Sequence, residues 1–259
     1  MHRFIEIGGV HNFRDFGGYQ TQNDQTVKKG KLFRAGQFSN ITDSGMESFK
    51  VHSPKTIIDL RRAKEREEQP SDFGDLPLRR LEGLDVHDDG GALPPHMAYL
   101  RDDEVTYDAT FAHMIDTYQR IPFIDQHKYL FRETFLALAN DDAPIIIHCA
   151  AGKDRTGVLC ALILKCLEVD DAIIEDDYML TNKIPYLDKI IKGYAEKLGQ
   201  RFGRTFPVEA TWPMGAVYAE YLQAAFGAIA AKHETISDYL EMIGVNQDDV
   251  QKIHDNLLE

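Results

Sequence analysis

The sequence is poor in cysteine, in net positive charge and in long apolar runs, and each shortage narrows what it can be. Three cysteines in 259 residues make no disulfide framework, and Cys160 and Cys166 fall in one apolar stretch that reads as core. No apolar run is long enough to cross a bilayer, and no hydrophobic leader follows Met1-His2-Arg3. Stable membrane insertion is therefore not expected, and a cytoplasmic protein is, since a reducing compartment keeps a thiol free. With 42 acidic against 29 basic residues and a formal net charge of −13, nucleic acid is disfavoured as a partner, because it needs positive patches. No Pro/Ser/Gly-rich linker or internal repeat divides the chain, so residues 1–259 read as a single domain. No H-E-x-x-H and no paired Cys/His spacing marks a metal site, and no cofactor is expected.

What the sequence does contain is concentrated in His148-Cys149-Ala150-Ala151-Gly152-Lys153-Asp154-Arg155-Thr156-Gly157. Ala143 to Ile147 before it reads as a buried strand, and Thr156 to Leu167 after it as an apolar helix, so the stretch is a strand-loop-helix turn. The small residues Ala150, Ala151 and Gly152 let backbone N–H groups converge. Unpaired amides at a helix N-terminus, with the helix dipole, cradle an anion such as phosphate. The same amides, with Lys153 and Arg155, would favour a thiolate at Cys149 and make it a nucleophile. Arg155 offers a planar, permanently charged fork to the equatorial oxygens of a phosphoryl transition state. The Thr156 hydroxyl is expected to hydrogen-bond the sulfur, Gly157 to complete the cradle, and His148 to hold the loop in shape. Lys153 and Asp154 also fit a plain solvated turn.

These residues resemble the H-C-x-x-G-K-D-R-T-G loop of an atypical group of bacterial and fungal protein tyrosine phosphatases, some of which also act on phosphoserine, phosphothreonine or phosphoinositides. The similarity extends to Asn12-Phe13-Arg14-Asp15, Leu32-Phe33-Arg34-Ala35, Asp59-Leu60-Arg61 with Glu65 and Pro70, Asp177-Tyr178 with Thr181-Asn182, and Tyr239-Leu240 with Gly244. It implies a cysteine-dependent phosphatase that passes through a cysteinyl-phosphate, with phosphotyrosine protein as substrate. A phosphoinositide or inositol phosphate phosphatase is the alternative, Lys153 then serving as an added charge contact. A non-catalytic phosphate-binding module and a rhodanese-type sulfur transferase fit less well, because nucleophile and arginine are both present. Some relatives act outside the cell, so export by an unusual route stays open. The resemblance also implies a helical lid over residues 186–212, where an ordinary surface helix is the other reading.

A proton donor for the leaving oxygen is needed. Trp212-Pro213 is followed by Met214, so the W-P-D loop of conventional tyrosine phosphatases is absent. Asp85 and Asp154 are the two candidates, with Asp88 and Asp89 as rivals of Asp85. Between Lys153 and Arg155, Asp154 suits an orienting or water-activating role, which leaves Asp85 as the acid. Asp59 and Arg61, at a strand end, read equally as functional or as a structural ion pair.

Strands are expected at Lys31 to Arg34, Lys55 to Leu60, Leu78 to Leu81 and Ile145 to His148. Helices are expected over Val105 to Tyr118, His127 to Leu138 and the stripe from Met214 to Ile229, with capping boxes at Ser44/Glu47 and Thr235/Asp238. Arg61, Arg62, Lys64 and Arg66 read as a helix end paired with Glu65, Glu67 and Glu68. The expected fold is α/β: a central, mostly parallel sheet flanked by helices, like that of protein tyrosine phosphatases, with the loop at the carboxyl end of a strand.

Overall fold

Short apolar runs form the strands, and the most continuous of them takes the middle of the sheet. The computed structural model describes residues 3–83, 100 and 105–259. Among these, β1 (Arg14–Asp15), β2 (Leu32–Ala35), β3 (Thr56–Asp59), β4 (Arg79–Glu82) and β5 (Ile145–His148) build one sheet in the order β1-β2-β5-β3-β4. All neighbours are parallel except β1, a two-residue antiparallel edge too short to leave a pattern in the sequence. β5 is buried on both faces, which is why it reads as an unbroken Ile-Ile-Ile run. Ile146 faces Phe13, Phe33, Phe38, Phe49 and Ile57, whereas Ile145 and Ile147 face the opposite core with Leu32 and Ile58.

The helices follow in chain order. α1 (Asp43–Lys50) brings Phe49 to the first core, and α2 (Ala63–Glu68) follows β3. α3 (Tyr107–Arg120), α4 (Asp125–Ala139), α5 (Asp154–Cys166) and α6 (Asp171–Met179) bury apolar stripes on the second. α7 (Leu187–Phe202) packs on α8 (Val208–Gly215), and α8 and α9 (Ala219–Ala230) both pack on α3. α10 (Ile236–Met242) and α11 (Gln247–Leu257) complete the fold. Among the described residues no helix is long and apolar enough to cross a membrane.

Several local expectations are corrected. α1 is capped by Thr42, which accepts from the Gly45 amide at 3.0 Å, because Gly8 O already fixes the Thr42 N–H; Glu47 pairs with Lys50 instead. α5 starts at Asp154, two residues before the expected Thr156, so the loop ahead of it is tighter. Met214 belongs to α8, and Val217 and Tyr218 link it to α9. Gly193 and Gly199 lie inside α7, and only Gly203, at φ +68, ends it. In the basic cluster, Arg62 pairs with Glu65 along α2, whereas among the described residues Arg66 reaches Glu82 and Arg61 reaches Asp59. The Thr235/Asp238 box forms as expected. Cys160 and Cys166 are buried on α5, and burial pushes both thiols up to about 12.

One buried ion cluster ties the edge of the sheet to the helices. Asp177 on α6 lies 3.1 Å from Arg34 of β2 and 3.5 Å from Arg14 of β1, and also accepts from Tyr19. Burial opposes its charge, yet Arg14 and Arg34 outweigh that and hold its carboxyl below the usual range. Burial, then repulsion from Arg34, lowers Arg14 to about 10, so it stays charged at neutral pH. Removing Asp177 would strand two buried cations. Asp177→Ala is expected to lose about 3–5 kcal/mol of stability in urea unfolding at pH 7. Because the folded carboxyl is depressed, its contribution is present above the unfolded value and fades as pH falls through the folded one. The variant should thus lose less stability than the parent between pH 4 and lower pH.

Candidate active site

The carboxyl ends of the parallel strands stand level: Ala35, His148 and Asp59 occupy one register row. From this row the chain leaves β5 through Cys149 and turns into α5 at Asp154. The turn is held from outside by its carbonyls. The Gln37 amide donates to Ala150 O at 3.0 Å, Asn12 Nδ2 to Gly152 O at 2.8 Å and to Ala151 O at 3.4 Å, and Arg34 Nη2 to Gly152 O at 3.0 Å. In a planar trans peptide the N–H points opposite to the C=O. Pulling three successive carbonyls outward therefore turns the amides of Ala151, Gly152 and Lys153 toward the inside of the loop, next to the N-terminus of α5. Gly152 is required twice over: its φ is +67, and a Cβ there would come within 2.2 Å of Ala35 O.

The Cys149 side chain sits at the floor and is buried, while Ala150 and Ala151 at the rim are exposed. Arg155 is clamped by Glu65 of α2 through two contacts of 2.8 Å, and its Nη1 also donates to Leu60 O at 3.0 Å. Burial works against the Arg155 charge, but Glu65 more than compensates and raises it; the same pair holds the Glu65 carboxyl well below the usual range. A guanidinium carries five N–H bonds, and three are used here. The remaining two, on Nε and Nη2, lie on one edge, the geometry that grips two oxygens of one anion.

His148 is buried beneath the loop, with Nδ1 at 3.3 Å from Cys149 O, Phe38 edge-on against its ring, and Nε2 at 3.6 Å from Asp59 Oδ2. Burial outweighs the attraction of Asp59 and lowers its pKa, so it packs as a neutral ring that supports the loop. Asp59 and Arg61 resolve as a structural ion pair: Arg61 Nε and Nη2 reach Asp59 at 2.7 to 3.1 Å, and Arg61 also holds Gln69 O and Ser71.

Two side chains of the loop depart from expectation. Thr156 is buried, but its Oγ1 has no hydrogen-bond partner among the described residues, so the expected bond to sulfur is not formed. Lys153 is buried and turned away from the turn: its Nζ donates to Met214 O and, at 3.1 Å, to Ala216 O, at the end of α8. Gly157 closes the first turn of α5, its amide donating to Lys153 O, and a Cβ there would strike the Tyr178 ring at 2.8 Å. Asp154 accepts from Tyr118 at 2.7 Å and lies 3.4 Å from Lys153 Nζ. Asp85, Asp88 and Asp89 lie outside the described residues. Sequence reasoning gave no site role to Glu65, Asn12, Arg34 or Tyr118. The first three stood in the quoted motifs without a stated task, and Tyr118 was hidden in an amphipathic stripe.

The chain matches the tyrosine phosphatase family over residues 5–259. It is 28% identical over 285 aligned positions to the triple specificity protein phosphatase PtpB of Mycobacterium tuberculosis, covering 98% of both chains. It is 25% identical to a putative tyrosine-protein phosphatase of Cupriavidus necator, covering 89% of this chain and 80% of the other. A tyrosine-protein phosphatase of Nostoc commune is 24% identical, covering 85% and 71%. An arginine clamped beside a buried cysteine, on a loop with three successive carbonyls drawn outward, thus comes with similarity along nearly the whole chain, and the protein belongs to the tyrosine phosphatase family.

Proposed function

We propose that this phosphatase hydrolyses phosphomonoesters in two steps on Cys149, with phosphotyrosine protein as its substrate. The observation that carries the reading is the Arg155 fork, fixed by Glu65 on one edge and open on the other, on the same turn as Cys149. In the first step Cys149 Sγ attacks phosphorus, the bond to the ester oxygen breaks, and a carboxylic acid protonates that oxygen. Water then attacks phosphorus and the electron pair of the S–P bond returns to sulfur. The turned amides of Ala151 to Lys153 and Arg155 stabilise the charge on the transferred group, with Ala150, Thr156 and Gly157 shaping the turn. Both groups beside Asp154, Tyr118 and Lys153, are hydrogen donors, which supports Asp154 as an acceptor for water. The leaving-group proton then falls to Asp85.

The word "triple" in the name of the mycobacterial relative favours a broader range that includes phosphoserine, phosphothreonine or phosphoinositide esters. In the arrangement described, Lys153 donates to the carbonyls at the end of α8 and lies 3.4 Å from Asp154, which favours Arg155 as the directed charge contact to the phosphoryl group. The same two bonds support α7 and α8 as a lid hinged on the phosphate loop, residues 1–259 then forming one catalytic domain.

Cys149→Ser is expected to abolish turnover of an aryl phosphate, and Arg155→Lys to lower kcat/KM by about 10²–10³, because a lysine cannot bind two oxygens at once. Residual turnover by Cys149→Ser within tenfold of the parent would refute the reading. Asp85→Asn should slow esters of poor leaving groups by about 10²-fold or more and activated aryl esters far less; equal losses on both remove Asp85 from the acid role. Hydrogen exchange over 187–216 should fall when vanadate is added if α7 and α8 close over the loop, and unchanged exchange there counts against a lid.

A further inference from the structure

Behind Asp154 stand two tyrosines that neither the motif nor the family match assigns to the reaction. Tyr118 of α3 donates to Asp154 Oδ1 at 2.7 Å, and Tyr178 of α6 donates to the Tyr118 oxygen at 2.6 Å. Both rings are fully enclosed, at 0% and 1% exposure, and meet edge-on at 6.3 Å between centroids. Lys153 also lies against Oδ1, so among the described residues both polar contacts of this carboxylate fall on one oxygen. The Asp154 side chain keeps 28% of its surface exposed, which leaves Oδ2 to solvent and ligand.

We propose that Tyr118, held in turn by Tyr178, is a positioning residue for the second step, pinning Asp154 by Oδ1 so that Oδ2 receives the proton of the water that attacks the cysteinyl-phosphate. The inference rests on the two-step reading above. In that step the water oxygen bonds to phosphorus, the S–P bond breaks with its electrons returning to Cys149 Sγ, and the water proton passes to Oδ2. The first step, in which a different acid protonates the leaving oxygen, does not need the pinned carboxylate.

The chain of hydroxyls has one direction. Tyr118 has a single proton and gives it to Asp154, so it can only accept from Tyr178. Burial, followed by the Asp154 charge, pushes both phenols well above their usual range, and they remain donors at any working pH. Among the described residues, the charged and titratable groups around this carboxylate are Lys153, Arg155, Tyr118, Tyr178 and Tyr221 of α9. None but Tyr118 gives Asp154 a hydrogen bond. The close seat of Tyr178 explains the second glycine of the loop motif, since a Cβ at Gly157 would overlap its ring.

The test is pre-steady-state turnover of p-nitrophenyl phosphate and of phenyl phosphate, with acid quench and mass spectrometry of Cys149, on the parent, Tyr118→Phe, Tyr178→Phe and Asp154→Asn. Tyr118→Phe should lower steady-state kcat by tenfold or more while the first turnover of p-nitrophenol release stays within twofold of the parent. A burst should then appear, the phosphate adduct should accumulate on Cys149, and kcat should become the same for both esters. Tyr178→Phe should do the same to a smaller extent, and it serves as the test should Tyr118→Phe fail to fold. A purely structural role would slow burst and steady state together, and that result, or unchanged kinetics, overturns the proposal. An adduct trapped in Asp154→Asn but in neither tyrosine variant sinks the tyrosines alone, whereas no adduct in any of the four proteins sinks the two-step reading itself.

Discussion

Three carbonyls drawn outward decide what the inside of the phosphate loop can do. Asn12, Arg34 and the Gln37 amide take the oxygens of Ala150, Ala151 and Gly152, and peptide planarity then aims the following N–H groups inward. The donors come from distant parts of the chain, so the loop is shaped by the fold and not by its own sequence. Arg34 can reach Gly152 because β2 lies beside β5, and it stays charged at that depth because Asp177 is beside it. The long-range ion cluster and the local chemistry are thus one structure. A loss at Asp177 would be felt at the loop through Arg34.

Electrostatics are divided in the same way on the other side of the turn. Glu65 neutralises the outer edge of Arg155 and fixes its plane, leaving two N–H bonds to face an anion. Lys153, which by position in the motif would add a second charge, is spent on the carbonyls at the end of α8. The phosphate turn therefore meets its ligand with one oriented cation and a set of amides. Such an arrangement has the form of a site for a single anion, on a protein whose overall charge of −13 offers an anion no general attraction.

Much of this was legible in the sequence. The four parallel strands, the placement of the loop after β5 and the helix behind it follow from short apolar runs, a glycine-containing turn and an apolar helix. The placement of Cys149 and Arg155 on one turn follows from their spacing. What was not legible depends on contacts across the chain. β1 has two residues and no period of its own. The α1 cap moved to Thr42 because Gly8 claims that peptide. Lys153 looked like a ligand because its partners, the Met214 and Ala216 carbonyls, are backbone and leave no side-chain signature. Tyr118 looked like core, and is core by burial, but its one polar atom ends at Asp154.

If this turn presents inward amides and one edge of Arg155, a single anion should bind there above Cys149. A crystal structure with vanadate would show whether it does. Vanadium should be bonded to Cys149 Sγ, with its equatorial oxygens on the loop amides and on Nε and Nη2 of Arg155 and with Glu65 still on the opposite edge. Vanadate bound away from the sulfur, or held with the loop amides turned outward and Arg155 uninvolved, would contradict it.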